Sequence, residues 1–243
     1  MSATSVVAGT PVTAIDGTRI ERYRLQAGRF AAEVVTLGAA LVRLEVPDRS
    51  GGVDNVVLGH ADARDALQQR TYFGAIVGRL ANRLAFGKLR FGEHEFQLTR
   101  NDGLHHLHGG RAGFDQRTWQ VNLAGGNGDE AQLELGLESP DGEEGYPGKL
   151  RAVTRYTLRS DGELRIELEA TTDRPTVVNL TSHSYFNLRG EGHGNVLGHR
   201  RAYGYECASA YLYRQQPDHR RREGGSGWLR GIGGRCASRA GGT

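Results

Sequence analysis

The feature that most constrains this chain is a strict two-residue alternation. Leu164, Ile166, Leu168 and Ala170 alternate with Arg165, Glu167 and Glu169, and Leu133, Leu135 and Leu137 alternate with Glu134, Gly136 and Glu138. Successive side chains of an extended strand point to opposite faces, so each pattern describes a strand with one buried face and one wet face. Asp161-Gly162 separates the Leu164 run from the apolar stretch Val153–Leu158, and Asp-Gly is a favoured centre for a tight hairpin. Phe91 and Phe96 flank another turn at Gly92-Glu93, and only residues 61–70 read as helical, briefly. Glycine supplies 36 of the 243 residues, which favours turns and therefore strands. Many short strands with almost no helical periodicity predict an all-β sandwich or barrel.

Composition excludes several classes of function. No apolar run approaches the ~18 residues of a membrane helix, and Met1–Thr10 lacks the basic start and apolar middle of a signal peptide. Two cysteines cannot form a disulfide framework, so a cytoplasmic protein is expected. The net charge of +3 is uneven: residues 200–243 hold nine arginines against Glu206, Asp218 and Glu223, a net +6, which leaves −3 on residues 1–199. No nucleic-acid surface is expected on the acidic body, and an arginine-rich arm without a basic fold beside it is a weak reading. The tail offers Leu212, Leu229 and Ile232 as its large aliphatics, too few to offset ~1–2 kcal/mol of backbone entropy per residue, so disorder is expected over 200–243.

Four clusters have side chains suited to chemistry. In Gly78-Arg79-Leu80-Ala81-Asn82-Arg83, guanidinium and amide donors suit vicinal sugar hydroxyls, while the plain reading makes Arg79 and Arg83 strand-edge charges. In Asn101–Gly110, His105, His106 and His108 suggest either a metal site, with His106 and His108 sharing a face of an extended segment, or one proton-transfer histidine beside solvated neighbours. Glu143 and Glu144 sit in the turn-rich stretch Ser139–Gly148. In Asn179–Leu188, a strand burying Leu180, Phe186 and Leu188 would present His183 and Tyr185 together on the other face. A histidine is a natural proton carrier near neutral pH, and a tyrosine beside it can orient a hydroxylated ligand.

Taken in order, these clusters resemble the aldose 1-epimerase (mutarotase) family. The likeness is carried by Tyr72-Phe73-Gly74 through Asn82-Arg83, Leu107-His108-Gly109-Gly110, Gly113-Phe114-Asp115 with Trp119, Ser139–Gly148 and Asn179–Leu188, within residues 15–199. One departure is Ser182, where the family usually has asparagine. The resemblance implies a large antiparallel β-sandwich with a sugar in an open cleft, His183 as the general acid on the ring oxygen and His108 assisting it. It also implies Asn82 and Arg83 on sugar hydroxyls and a reaction that interconverts α and β hexose anomers without cofactor or metal; Tyr185, beside His183 on the strand face, is expected as a further substrate contact. A glutamate late in the chain serves the family as general base. The text beyond residue 199 does not look like the family's later strands, so a lost reading frame near 199–214 is expected. A sandwich incomplete at its C-terminal end would expose strand edges and impair catalysis unless Glu143 or Glu144 substitutes, and a non-catalytic carbohydrate-binding remnant is the alternative.

Overall fold

The computed structural model describes residues 4–199 and the backbone of 237–238; the tail otherwise lies outside the described residues. In chain order the first part comprises β1 (Ser5–Ala8), β2 (Val12–Thr13), β3 (Arg19–Ile20), β4 (Arg22–Ala27), β5 (Phe30–Val35), β6 (Ala40–Pro47) and β7 (Val53–Asn55). Strands β1, β4, β5, β6 and β7 form one antiparallel sheet in the order β1-β4-β5-β6-β7, and β2–β3 is a separate two-residue hairpin. The brief helical signal at 61–70 becomes α1 (Asp65–Gln69).

The middle of the chain is short strands and loops: β8 (Ile76–Val77), β9 (Arg83–Leu84), β10 (Lys88–Phe91), β11 (His94–Gln97) and β12 (His106–Leu107). The turn expected at Gly92-Glu93 joins β10 to β11. The second large sheet follows, with β13 (Gln120–Asn127), β14 (Glu130–Ser139), β15 (Leu150–Arg159) and β16 (Leu164–Thr172) paired in sequence. Asp161-Gly162 lies in the β15–β16 turn, as the sequence predicts. The chain then returns through β17 (Thr181–Ser182), which pairs with β8, and the backbone of β18 (Ala237–Ser238) pairs with Leu164 and Arg165.

The two sheets bury their apolar faces against each other, as the sandwich reading requires. Leu25, Ala32, Val34 and Leu41 from the first meet Leu133, Leu135, Ala152, Tyr156 and Leu158 from the second in one core. Each such aliphatic side chain contributes ~1.5–3 kcal/mol by leaving water. Tyr156 is fully buried, and its hydroxyl donates to the Ala39 carbonyl at 2.7 Å, a hydrogen bond that joins the layers. Core coverage fades toward β16, where Leu164, Ile166 and Leu168 pack on the core but are only half-buried. The apolar face expected within 179–188 is covered only in part: Leu180 packs on the core, but Phe186 is 45% and Leu188 66% exposed, because the segment beyond Ser182 runs along loops rather than inside a sheet.

Truncating Leu135 to alanine should therefore cost ~2–5 kcal/mol of stability through cavity formation. Tyr156→Phe should cost ~1–3 kcal/mol by leaving the Ala39 carbonyl without its donor. Urea unfolding at neutral pH checks both.

Candidate active site

The site is assembled where the returning segment 179–187 lies beside 74–81. Asn179 N–H donates to the Arg79 carbonyl and Ala81 N–H donates to the Asn179 carbonyl, both at 2.8 Å. Thr181 and Ser182 pair with Val77 and Ile76, His183 N–H reaches the Ala75 carbonyl at 2.8 Å, and Leu58 N–H reaches that of Tyr185 at 3.0 Å. This ladder brings the rings of His183 and Tyr185 together, with centroids 5.2 Å apart, as the alternation predicts.

His108 reaches the same place from a different segment of the chain. Its ring centroid lies 5.1 Å from that of His183 in an edge-to-face arrangement. His108 N–H donates to the Asn82 carbonyl at 3.1 Å, and Asn82 N–H donates to His108 Nδ1 at 3.0 Å. An imidazole nitrogen that accepts from an amide carries no proton, so neutral His108 holds its proton on Nε2. Burial, reinforced by the charges of His183, Arg83 and Arg70, holds its pKa down to about 4. His108 is therefore a neutral hydrogen-bond donor at physiological pH.

Asn82 and His108 both take left-handed backbone conformations, with φ of 69° and 49°. Asparagine and histidine tolerate that region better than most residues, and such conformations concentrate at functional sites. The Asn82 side-chain oxygen accepts from Arg83 N–H at 2.8 Å, which leaves its amide nitrogen toward solvent. Arg83 donates through Nε to Asp102 at 2.6 Å and is largely exposed.

The three neighbouring histidines do not converge, which overturns the metal reading. Strand β12 ends at Leu107, and the left-handed turn at His108 breaks the alternation that would have put His106 and His108 on one face. His106 is fully buried; its Nδ1 meets the Thr99 carbonyl at 2.7 Å and its Nε2 the Tyr146 hydroxyl at 2.5 Å. His105 turns instead to the Phe86 backbone N–H. Among the described residues no three His, Cys, Asp or Glu side chains group to hold a metal.

Arg79 also departs from both sequence readings, since it is neither a sugar ligand nor an edge charge. It is 1% exposed. Its guanidinium donates to Ser139 Oγ and to the carbonyls of Ser139, Pro140, Pro147 and Gly148. Glu143 is spent on Arg117 and Ser139. Glu144 accepts from the backbone N–H groups of Arg111 and Ala112 at 3.0 and 2.8 Å. Both carboxylates thus hold loops together.

Two residues that the motif chemistry does not single out complete the cluster. Tyr72 stands 4.8 Å from the His108 ring and 5.6 Å from that of His183. Arg70 lies over Tyr72 and forms a two-pronged ion pair with the buried Asp115 at 3.0 Å for each contact. The one available signal was the membership of Tyr72 in the Tyr72-Phe73-Gly74 run; Arg70 had none.

Comparison with known proteins identifies the family. The aldose 1-epimerase family profile matches residues 21–203. A galactose mutarotase from Sus scrofa is 43% identical over 180 residues, covering 74% of this chain and 51% of the relative. An aldose 1-epimerase from Escherichia coli K12 is 39% identical over 195 residues, covering 79% and 54%. The crystal structure of a galactose 1-epimerase from Lactobacillus acidophilus NCFM superposes with a TM-score of 0.69 at 30% identity, over 76% of this chain and 54% of that one. The chain spans about half the length of the curated relatives it matches.

The depressed pKa of His108 has a consequence for stability. Between its ordinary value of 6.5 and about 4 the unfolded chain binds a proton that the folded chain refuses, so stability falls as pH drops through that window. Burial lowers the pKa of His106 as well, with the same sign. Urea midpoints taken from pH 7 to pH 4 should decline, and His108→Gln should make the decline shallower.

Proposed function

The chain belongs to the aldose 1-epimerase family, and from that premise we propose that its cleft binds a hexose and interconverts the sugar's anomers by acid–base ring opening. One observation carries the proposal: two imidazoles from distant segments meet with ring centroids 5.1 Å apart, and of the two only His108 has its Nδ1 committed to a backbone N–H. His183 makes no side-chain hydrogen bond to the described residues, which leaves its ring nitrogens available to a sugar oxygen.

In the proposed reaction, protonated His183 transfers its proton to the ring oxygen as the bond from that oxygen to C1 breaks. The proton of the C1 hydroxyl leaves in the same step, and C1 becomes the carbonyl carbon of the open-chain aldose. Rotation about the C1–C2 bond and reclosure on the other carbonyl face, with the ring-oxygen proton returned to His183 and a proton returned to the C1 oxygen, give the second anomer. His108 donates from Nε2–H to a sugar oxygen throughout. The Asn82 amide nitrogen and the Arg83 guanidinium bind hydroxyls, and Tyr185 lines the cleft beside His183. Glu143 and Glu144 are both committed to loop contacts, so the proton from the C1 hydroxyl passes to water or to a carboxylate outside the described residues. That commitment also favours a second reading, hexose binding without turnover.

Polarimetry on freshly dissolved α-galactose and α-glucose tests the first reading against the spontaneous rate. His183→Ala should lower the catalysed rate by ~10²–10⁴-fold, the usual contribution of one acid–base group. Arg83→Ala should chiefly raise KM. A rate equal to that of His183→Ala removes catalysis. Galactose binding by calorimetry would then support the second reading, and an absence of binding would remove both.

A further inference from the structure

Tyr72 has no assigned part in the reaction, yet its ring touches both imidazoles. It lies 28° from parallel with His183 at 5.6 Å and tilts by 59° against His108 at 4.8 Å. Behind it the Arg70 carbon Cζ sits 5.1 Å from the ring centroid, and the same guanidinium is pinned by Asp115 and by the Gly110 carbonyl. The backbone of Tyr72 is left-handed, with φ 60°, a conformation unfavourable for a bulky residue. Several contacts hold it there. Ala75 N–H donates to the Tyr72 carbonyl at 3.1 Å, Gly74 N–H donates to that of His183 at 3.2 Å, and Leu41 N–H donates to that of Gly74 at 3.1 Å. Gly74 itself has φ 66°, and a Cβ there would collide with the Leu41 carbonyl. The turn is thus clamped between the first sheet and the His183 segment.

Building on the function proposed above, we propose that Tyr72 is a positioning residue: its ring is a wedge that holds His108 and His183 edge to face and screens His108 from water. The ring carries this role rather than the hydroxyl, which makes no hydrogen bond to any described residue. His108 is faced by the Asn82 N–H, the Tyr72 and His183 rings, and the charges of Arg83, Arg70 and His106. Burial is the leading cause of its lowered pKa, so admitting water should raise it.

NMR titration of the imidazoles in the full chain, unaltered and as Tyr72→Phe and Tyr72→Leu, tests the wedge without relying on turnover. Tyr72→Leu should move the His108 pKa upward by ~1 unit or more toward its ordinary value. It should also lower kcat at least ~tenfold with little change in KM, the pattern expected when reacting groups are misplaced. Tyr72→Phe should restore both. An unshifted His108 in Tyr72→Leu overturns the proposal, and so does a Tyr72→Phe variant that behaves like Tyr72→Leu. Should the leucine variant fail to fold, nuclear Overhauser contacts from the Tyr72 ring to both imidazoles of the unaltered chain decide, their absence counting against the wedge. If the unaltered chain neither binds galactose nor speeds its mutarotation, the sugar reading fails while the histidine titration still judges Tyr72.

Discussion

The site depends on one buried guanidinium that forms no ion pair with a carboxylate among the described residues. Arg79 is enclosed by four carbonyl oxygens and the Ser139 hydroxyl, with its charge 5.5 Å from the Tyr146 ring. Arginine suits this task because its planar fork aims several donors in fixed directions and stays charged when buried. The hydrogen bonds fasten 139–148 to 78–83, so the loop that carries Asn82 and Arg83 is tied to the second sheet. The network continues from Ser139 to Glu143 and Arg117, while Tyr146, which stacks on the guanidinium, holds the buried His106. Removing the fork would strand several buried acceptors at once, which is costlier than losing any one hydrogen bond.

On that support the site keeps its backbone in unfavourable conformations. Tyr72, Asn82 and His108 all have positive φ; Asn82 and His108 are held by hydrogen bonds to each other, and Tyr72 by the Ala75 N–H of its own turn. The result is an asymmetric pair of imidazoles. His108 is locked in one tautomer by a backbone N–H, while His183 is tied down only through its main chain.

The alternating pattern made the sandwich, its hairpins and the pairing of His183 with Tyr185 legible, since the direction of a side chain in a strand is local and needs no knowledge of distant contacts. The same reasoning failed at His106 and His108. It assumed an extended segment, and a left-handed residue at position 108 sends the two rings in different directions. It failed at Leu188, where alternation did not coincide with a covering layer. Arg79 looked like a surface charge because its partners, main-chain oxygens of a remote loop, leave no mark in composition.

The sequence by itself therefore determined which segments become strands, where they turn and which polar motifs accompany them, because these follow from two-residue periodicity and turn chemistry. Only the tertiary structure decided that Arg79 is internal, that Glu143 and Glu144 are occupied, and that Tyr72 stands between two histidines. Those outcomes rest on hydrogen bonds and ring contacts between segments far apart in the chain, and their geometry exists only after the sheets have closed.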